Sequence, residues 1–177
     1  MEQYRKSPRA MFLDYQYGDF FVTICTRHHR HYFGEIKNGN MELSGLGKFL
    51  DEQLASGNKF NDRAVVLQYV VMPNHLHAII HVDSDGICPY AESEPFNRNP
   101  NPSLRTDHAA KRCNPALSRY INSLKGAVTK FAAKNGYEFE WQSRYHDHYI
   151  RGPHDGNRIS EYIAANVERW EKDVFNI

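Results

Sequence analysis

The sequence predicts an α+β domain built on a four-stranded antiparallel sheet. Three observations carry that expectation. Runs dense in aromatic and β-branched residues alternate with segments of helical periodicity, in the order β-α-β-β-α-β-α. The first six elements have the order of a split βαβ, ferredoxin-like arrangement, with two helices on one face of the sheet. The length, 177 residues, suits a single domain spanning 1–177, and no internal repeat divides it.

The elements follow in chain order. Residues 19–26 (DFFVTICT) form the first strand. Ser44 can cap a helix over 44–56, where Leu46, Phe49, Leu50 and Leu54 recur at helical spacing and Gly57 can end it. Residues 64–72 (AVVLQYVVM) read as a buried strand, broken by Pro73-Asn74. Residues 75–82 (HLHAIIHV) resume as its hairpin partner. From 83 to 115 the pattern dissolves into Pro, Asn and charge. A connection of that length in a compact domain is either functional or disordered. Residues 115–136 form a helix with an apolar stripe of Leu117, Tyr120, Ile121, Leu124, Val128 and Phe131, closed by Gly136. Residues 145–151 read as a short strand and GPHDGN as a turn. A last helix is expected over 158–174, with Ile159, Ile163, Val167, Trp170 and Val174 along one side.

Composition is that of a globular protein, with 41% hydrophobic and 24% charged residues. No apolar run is long enough for a membrane span. The N-terminal MEQYRKSPRA lacks the apolar stretch of a secretory signal, so a cytoplasmic location is expected, nucleoid-associated if the chain binds DNA. Cys25, Cys88 and Cys113 form no C-x-x-C pair, which argues against a zinc ribbon or a disulfide framework. The net charge of +1 is no polyanion-binding footprint by itself. Basic residues nevertheless cluster, as Arg5, Lys6 and Arg9, as Arg27 and Arg30, and as Arg105, Lys111 and Arg112. Scattered solvated charge accounts for such clusters equally well.

The most informative stretch is YVVMPNHLHAIIHV, 69–82. Side chains alternate across a strand. His75, His77, Ile79 and His81 therefore share one face, and Leu76, Ala78, Ile80 and Val82 share the other. The apolar set belongs under the two helices. Two imidazoles at i and i+2 can chelate one ion, but the motif alone is weak, and a partly wet sheet face explains it as well. Two histidines without further ligands also make a poor zinc site. Tyr162 and Asn166 stand one helical turn apart at the edge of the last helix's apolar stripe and could reach that face. A tyrosine and an asparagine flanking a core stripe are equally ordinary.

Taken together, these blocks resemble a known family. YVVMPNHLHAIIHV resembles the His-hydrophobe-His motif of the single-tyrosine HUH transposases. FFVTICTRHHRHYFG, LSRYINSLKGAVTKF, WQSRYHDHYIR and EYIAANVERWEKD are similar to one branch, the REP-associated tyrosine transposases. The resemblance runs in order along nearly the whole chain except 83–115. It implies a ferredoxin-like fold, a metal held by His75, His77 and Asn166, and Tyr162 as the nucleophile. The branch usually has Asn-Pro where this chain has Asn166-Val167. The implied substrate is single-stranded or hairpin DNA with REP-like palindromes, cut and rejoined through a 5′-phosphotyrosine. The implied assembly is a monomer or a homodimer.

The chemistry suits the residue types. Two neutral imidazoles and an amide oxygen leave the full charge of Mg²⁺ or Mn²⁺ for a phosphate. A tyrosyl ester keeps the reactivity of a phosphodiester, so a 3′-hydroxyl can reverse the cut without ATP. Lys125, Arg27, Arg30, Arg144 and Arg151 are candidate DNA contacts. His148 and His81 are candidates for supporting the site from outside the ligand set. Two other readings stand beside this one: a nucleic-acid-binding ferredoxin-like module without catalysis, and a metal-dependent phosphoesterase that would not need Tyr162.

Overall fold

Phe20, Val22 and Ile24 alternate with Phe21, Thr23 and Cys25 along β1 (Gly18–Cys25), and that alternation decides the layering. The computed structural model describes residues 18–56, 63–83 and 116–176. The connection expected over 83–115 lies outside these residues apart from Asp83, as do the basic clusters at 5–9 and 105–112, Cys88, Cys113 and Gly57. β2 (Gly34–Lys37), β3 (Asn40–Leu43), α1 (Gly45–Ala55), β4 (Ala64–Val71) and β5 (His75–Val82) follow, then α2 (Ala116–Lys134), β6 (His146–Tyr149) and α3 (Pro153–Ala164).

The main sheet has the order β4-β5-β1-β6, and every neighbouring pair is antiparallel. β1 and β4 thus run parallel with β5 between them, which is the predicted split βαβ arrangement. Across β1 and β5, Phe20 faces Ile80, Val22 faces Ala78 and Ile24 faces Leu76. These six side chains form the floor of the main core. Leu46, Leu50 and Leu54 of α1 and Leu117, Ile121 and Leu124 of α2 cover them. Each fully buried aliphatic side chain contributes about 1.5–3 kcal/mol by leaving water.

Local signals set the helix ends. The Ser44 side chain accepts a bond from the Gly47 amide at 3.0 Å, the predicted cap of α1. Gly47 lies so close to the Phe33 carbonyl that a β-carbon there would collide with it. α1 is thereby fixed against the segment leaving β1.

Two parts of the predicted layout are corrected. β2 and β3 form a separate two-stranded hairpin turning at Asn38-Gly39, both with positive φ, 51° and 75°. Asn-Gly is the usual signal for such a turn. It escapes notice because each strand is four residues long and mostly polar. The last helix also differs. GPHDGN is not a turn but the start of α3, with Pro153 in its first turn, where a missing amide hydrogen costs nothing. α3 then stops at Ala164 rather than continuing to 174. Beyond it the chain closes with shorter bonds, Asn166 N to Ile163 O at 3.3 Å and Trp170 N to Val167 O at 3.3 Å. A short 3₁₀ turn covers Trp170–Lys172. Val174, placed on the expected stripe, is 79% exposed.

α3 packs on the face of β4 and β5 opposite α1 and α2. Its small apolar contact joins Ile159 and Ile163 to Ile79, with Phe21, Val70 and Tyr162 at its margin. Among the described residues no helix is long and apolar enough to cross a membrane.

Candidate active site

The second face of the first half of β5 is covered by α3 and the segment that follows it. His75 and His77 point into this space and are 0% and 1% exposed. Their Nε2 atoms lie 3.1 Å apart. Cys25 and Thr23 stand opposite them on β1.

The outer nitrogens of the two rings are both engaged. Asn74 donates its amide hydrogens to the carbonyls of His29 at 3.0 Å and Phe175 at 2.7 Å. Its Oδ1 is therefore the acceptor for the His75 Nδ1–H, at 2.8 Å. A neutral His75 then presents a bare Nε2. His77 Nδ1 meets the Thr23 hydroxyl at 2.8 Å. When this nitrogen holds the proton, His77 too turns a lone pair inward. Burial pushes the His75 imidazole down to about 2, with further pressure from His77 and His29, and burial alone takes His77 to about 4. Both rings are neutral at ordinary pH.

The remaining groups come from α3 and the chain beyond it. The Tyr162 hydroxyl lies 3.2 Å from His77 Nε2. Burial raises the phenol above its ordinary value, the Asn166 amide acts to lower it, and the Asp173 carboxylate raises it again. Asn166 follows the helix end instead of continuing it, yet is 2% exposed, and its Oδ1 has no hydrogen-bond partner. An unpartnered buried carbonyl is costly. Asp173 completes the set: its Oδ2 is 4.0 Å from His75 Nε2, and His75, His77 and Asp173 each offer a ligand atom within 4.8 Å of the others. Phe175 and Trp170 close the space, with ring centroids 4.6 Å and 6.1 Å from that of His75.

This donor set fits a divalent ion. Two nitrogens 3.1 Å apart match neighbouring ligands at about 2.1 Å from one centre. The unpartnered Asn166 oxygen is the kind of group such an ion would satisfy.

The other sequence candidates lie further out. His81 bonds Asp19 at 2.7 Å, four residues along β5 from His77, about 13 Å away at strand rise. His148 bonds Asp155 at 2.7 Å, and with Arg158 it holds that carboxyl well below the usual range. His148 also borders a cleft of about 470 Å³ beside Tyr162, whose other walls include Phe21, Arg158 and Arg169. Lys125 donates to the Gln142 carbonyl at 2.6 Å and covers the Trp141 ring, and burial lowers its pKa. Arg27 pairs with Glu140 and shares a separate cleft with Arg30. Arg144 and Arg151 are exposed.

Thr23, Asn74, Phe21 and Asp173 were not among the sequence candidates. Thr23 could have been found by pairing the first strand against 75–82. Asn74 reads as a turn residue, and Asp173 as one acid in a charged helix.

A protein of Haemophilus influenzae, of uncharacterised function, is 31% identical over 173 residues, covering 96% of this chain and 92% of its own length. A REP-associated tyrosine transposase solved with a REP hairpin superposes with a TM-score of 0.53, at 20% identity, over 96% of this chain and 74% of that one. The likeness is one of fold. No family model matches the chain.

Proposed function

We propose that this chain, which belongs to one family with the Haemophilus influenzae protein and has the fold of a REP-associated tyrosine transposase, cleaves and rejoins single-stranded or hairpin DNA through a covalent tyrosyl intermediate. The observation that carries the reading is the Tyr162 hydroxyl 3.2 Å from His77 Nε2, at the mouth of a buried two-histidine ligand pair. A phosphoesterase that activates water has no use for a phenol there. A binding module without catalysis has no use for two desolvated imidazoles.

His75 Nε2, His77 Nε2 and the Asn166 oxygen would hold Mg²⁺ or Mn²⁺. Such an ion, when bound, supplies positive charge to the scissile phosphate. The protein supplies placement. Asn74 and Thr23 hold the two rings so that both Nε2 atoms face inward. Phe21 stacks on His77 at 5.2 Å and meets Tyr162 edge-on at 6.1 Å, which steadies the phenol against the pair. In the reaction one P–O bond forms to the Tyr162 oxygen and one breaks to the 3′ oxygen of the preceding nucleotide. The phenol gives up one proton and the departing 3′ oxygen gains one, so atoms and charge balance. The cleft beside Tyr162, whose walls carry Arg158, Arg169 and Glu161, is the strand's approach in this reading, with Arg169 as its candidate phosphate contact because Arg158 is paired with Asp155.

Incubation of end-labelled hairpin DNA with the protein and Mn²⁺ tests the reading. A covalent protein–DNA adduct is expected, lost at least ~1,000-fold in Tyr162→Phe. Metal-dependent cleavage without an adduct would establish the phosphoesterase instead, and DNA binding without cleavage the simple module.

A further inference from the structure

We infer that Asp173 is itself a ligand of the divalent ion, so that the centre has a charged donor set of two imidazoles, a carboxylate and an amide oxygen. The inference rests on the metal-dependent reading above and changes its ligand chemistry. Asp173 lies outside the tyrosine helix, in the segment after the short 3₁₀ turn, and its side chain is 5% exposed.

The geometry separates its two oxygens. Oδ1 accepts the Phe175 amide hydrogen at 2.9 Å, an ordinary local turn bond. Oδ2 faces the histidine pair, 4.0 Å from His75 Nε2. That distance is too long for a hydrogen bond. With Asn74 taking the His75 proton at Nδ1, there is also no proton at Nε2 to share. A nearly buried carboxylate oxygen thus points at a lone pair, which is unfavourable without a cation between them. Donors about 2.1 Å from one ion can stand up to about 4.2 Å apart, so His75 and Asp173 can bind the same ion. The Asn166 amide adjoins the Tyr162 hydroxyl, and its Oδ1, which no described group bonds, is a further buried oxygen donor on this side of the sheet.

A neutral His-His-Asn set binds a hard divalent ion weakly, because charge count on the ligands tunes affinity. The Asp173 carboxylate supplies one negative charge. The full-length protein should therefore take up Mn²⁺ without DNA. Titration of Mn²⁺, followed by loss of the free-ion EPR signal, reads this directly. The expected result is binding by the wild type, at least ~10-fold weaker binding by Asp173→Asn, and none by His77→Ala. Equal affinity of wild type and Asp173→Asn, with binding lost in His77→Ala, would overturn the inference and leave the DNA-cleaving proposal standing. No uptake by the wild type, with or without hairpin DNA, would overturn both. Should Asp173→Asn fail to fold, anomalous diffraction from Mn²⁺-soaked wild-type crystals decides. An ion within about 2.3 Å of an Asp173 oxygen supports the assignment, and an ion bound to the histidines but not to Asp173 rejects it.

Discussion

The two faces of the central sheet are made by the same strands, yet they obey different rules. On one face, residues 20, 22 and 24 of β1 and 76, 78, 80 and 82 of β5 are apolar, fully buried and covered by two helices. On the other, one residue out of phase, sit Thr23, Cys25, His75 and His77, equally buried but polar or titratable. Their apolar support is a smaller cluster around Ile79, Ile159 and Ile163, with the rings of Phe21, Trp170 and Phe175 against the histidines. The first face stabilises the fold. The second holds desolvated groups whose needs the fold itself does not meet. That contrast is the physical ground for the proposed site, because a chain selected for stability alone would have filled the second face as it filled the first.

The largest difference should appear when each face is truncated. Leu76→Ala, on the covered face, should cost about 2–5 kcal/mol in urea unfolding. A comparable loss from Thr23→Ala on the opposite face would break the comparison.

Acid should act on the second face alone. Both histidines have folded-state pKa values below the ordinary 6.5, at about 2 and about 4. The unfolded chain takes up protons below pH 6.5 and the folded chain does not. The stability is therefore complete above that pH and is lost as pH falls, down to about 4 for His77 and about 2 for His75. At pH 5, without metal, each histidine costs about 2 kcal/mol. Denaturant midpoints at pH 7 and pH 5, for wild type and His75→Leu, check this: the variant should lose less.

A smaller effect is expected at Asn166. Asn166→Leu removes the unpartnered carbonyl but also the amide contact to Tyr162, so stability should change by no more than about 1 kcal/mol while Mn²⁺ binding weakens. A clear loss of thermal stability would show that the amide is structural. Smallest of all is His81→Ala. It removes a half-exposed pair with Asp19 and should change stability by no more than ~0.5 kcal/mol and leave DNA cleavage intact.

The legibility of the sequence follows the same division. The covered face was readable because burial by helices enforces strict periods of 2 and 3.6. His75 and His77 were readable as an interruption of that pattern. Tyr162 and Asn166 gained their roles from the resemblance, since spacing alone left them ordinary. The end of α3 was missed because no Gly or Pro follows Ala164, and the apolar positions continue to Trp170, which is indeed buried. Asp173 and Asn74 were missed for a different reason. Their partners are set by long-range packing, as when Asn74 bonds Phe175, 101 residues away. No local pattern carries that information.

That last contact bears on the order in which the molecule assembles. Asn74 joins a loop near residue 29, the hairpin carrying the histidines and the stretch around residue 175 in one knot. The sheet itself joins residues as far apart as Phe20 and Tyr149, so sequence separation does not set the knot apart. It differs in needing three segments already in place, the loop near residue 29, the histidine hairpin and the stretch around residue 175. The scaffold should therefore become protease-resistant before the histidine chamber is sealed. Stopped-flow refolding followed by Trp170 fluorescence in a Trp141→Phe background, compared with far-ultraviolet circular dichroism, should resolve a late phase that Asn74→Ala abolishes. Coincident traces would mean that the two faces form in a single step.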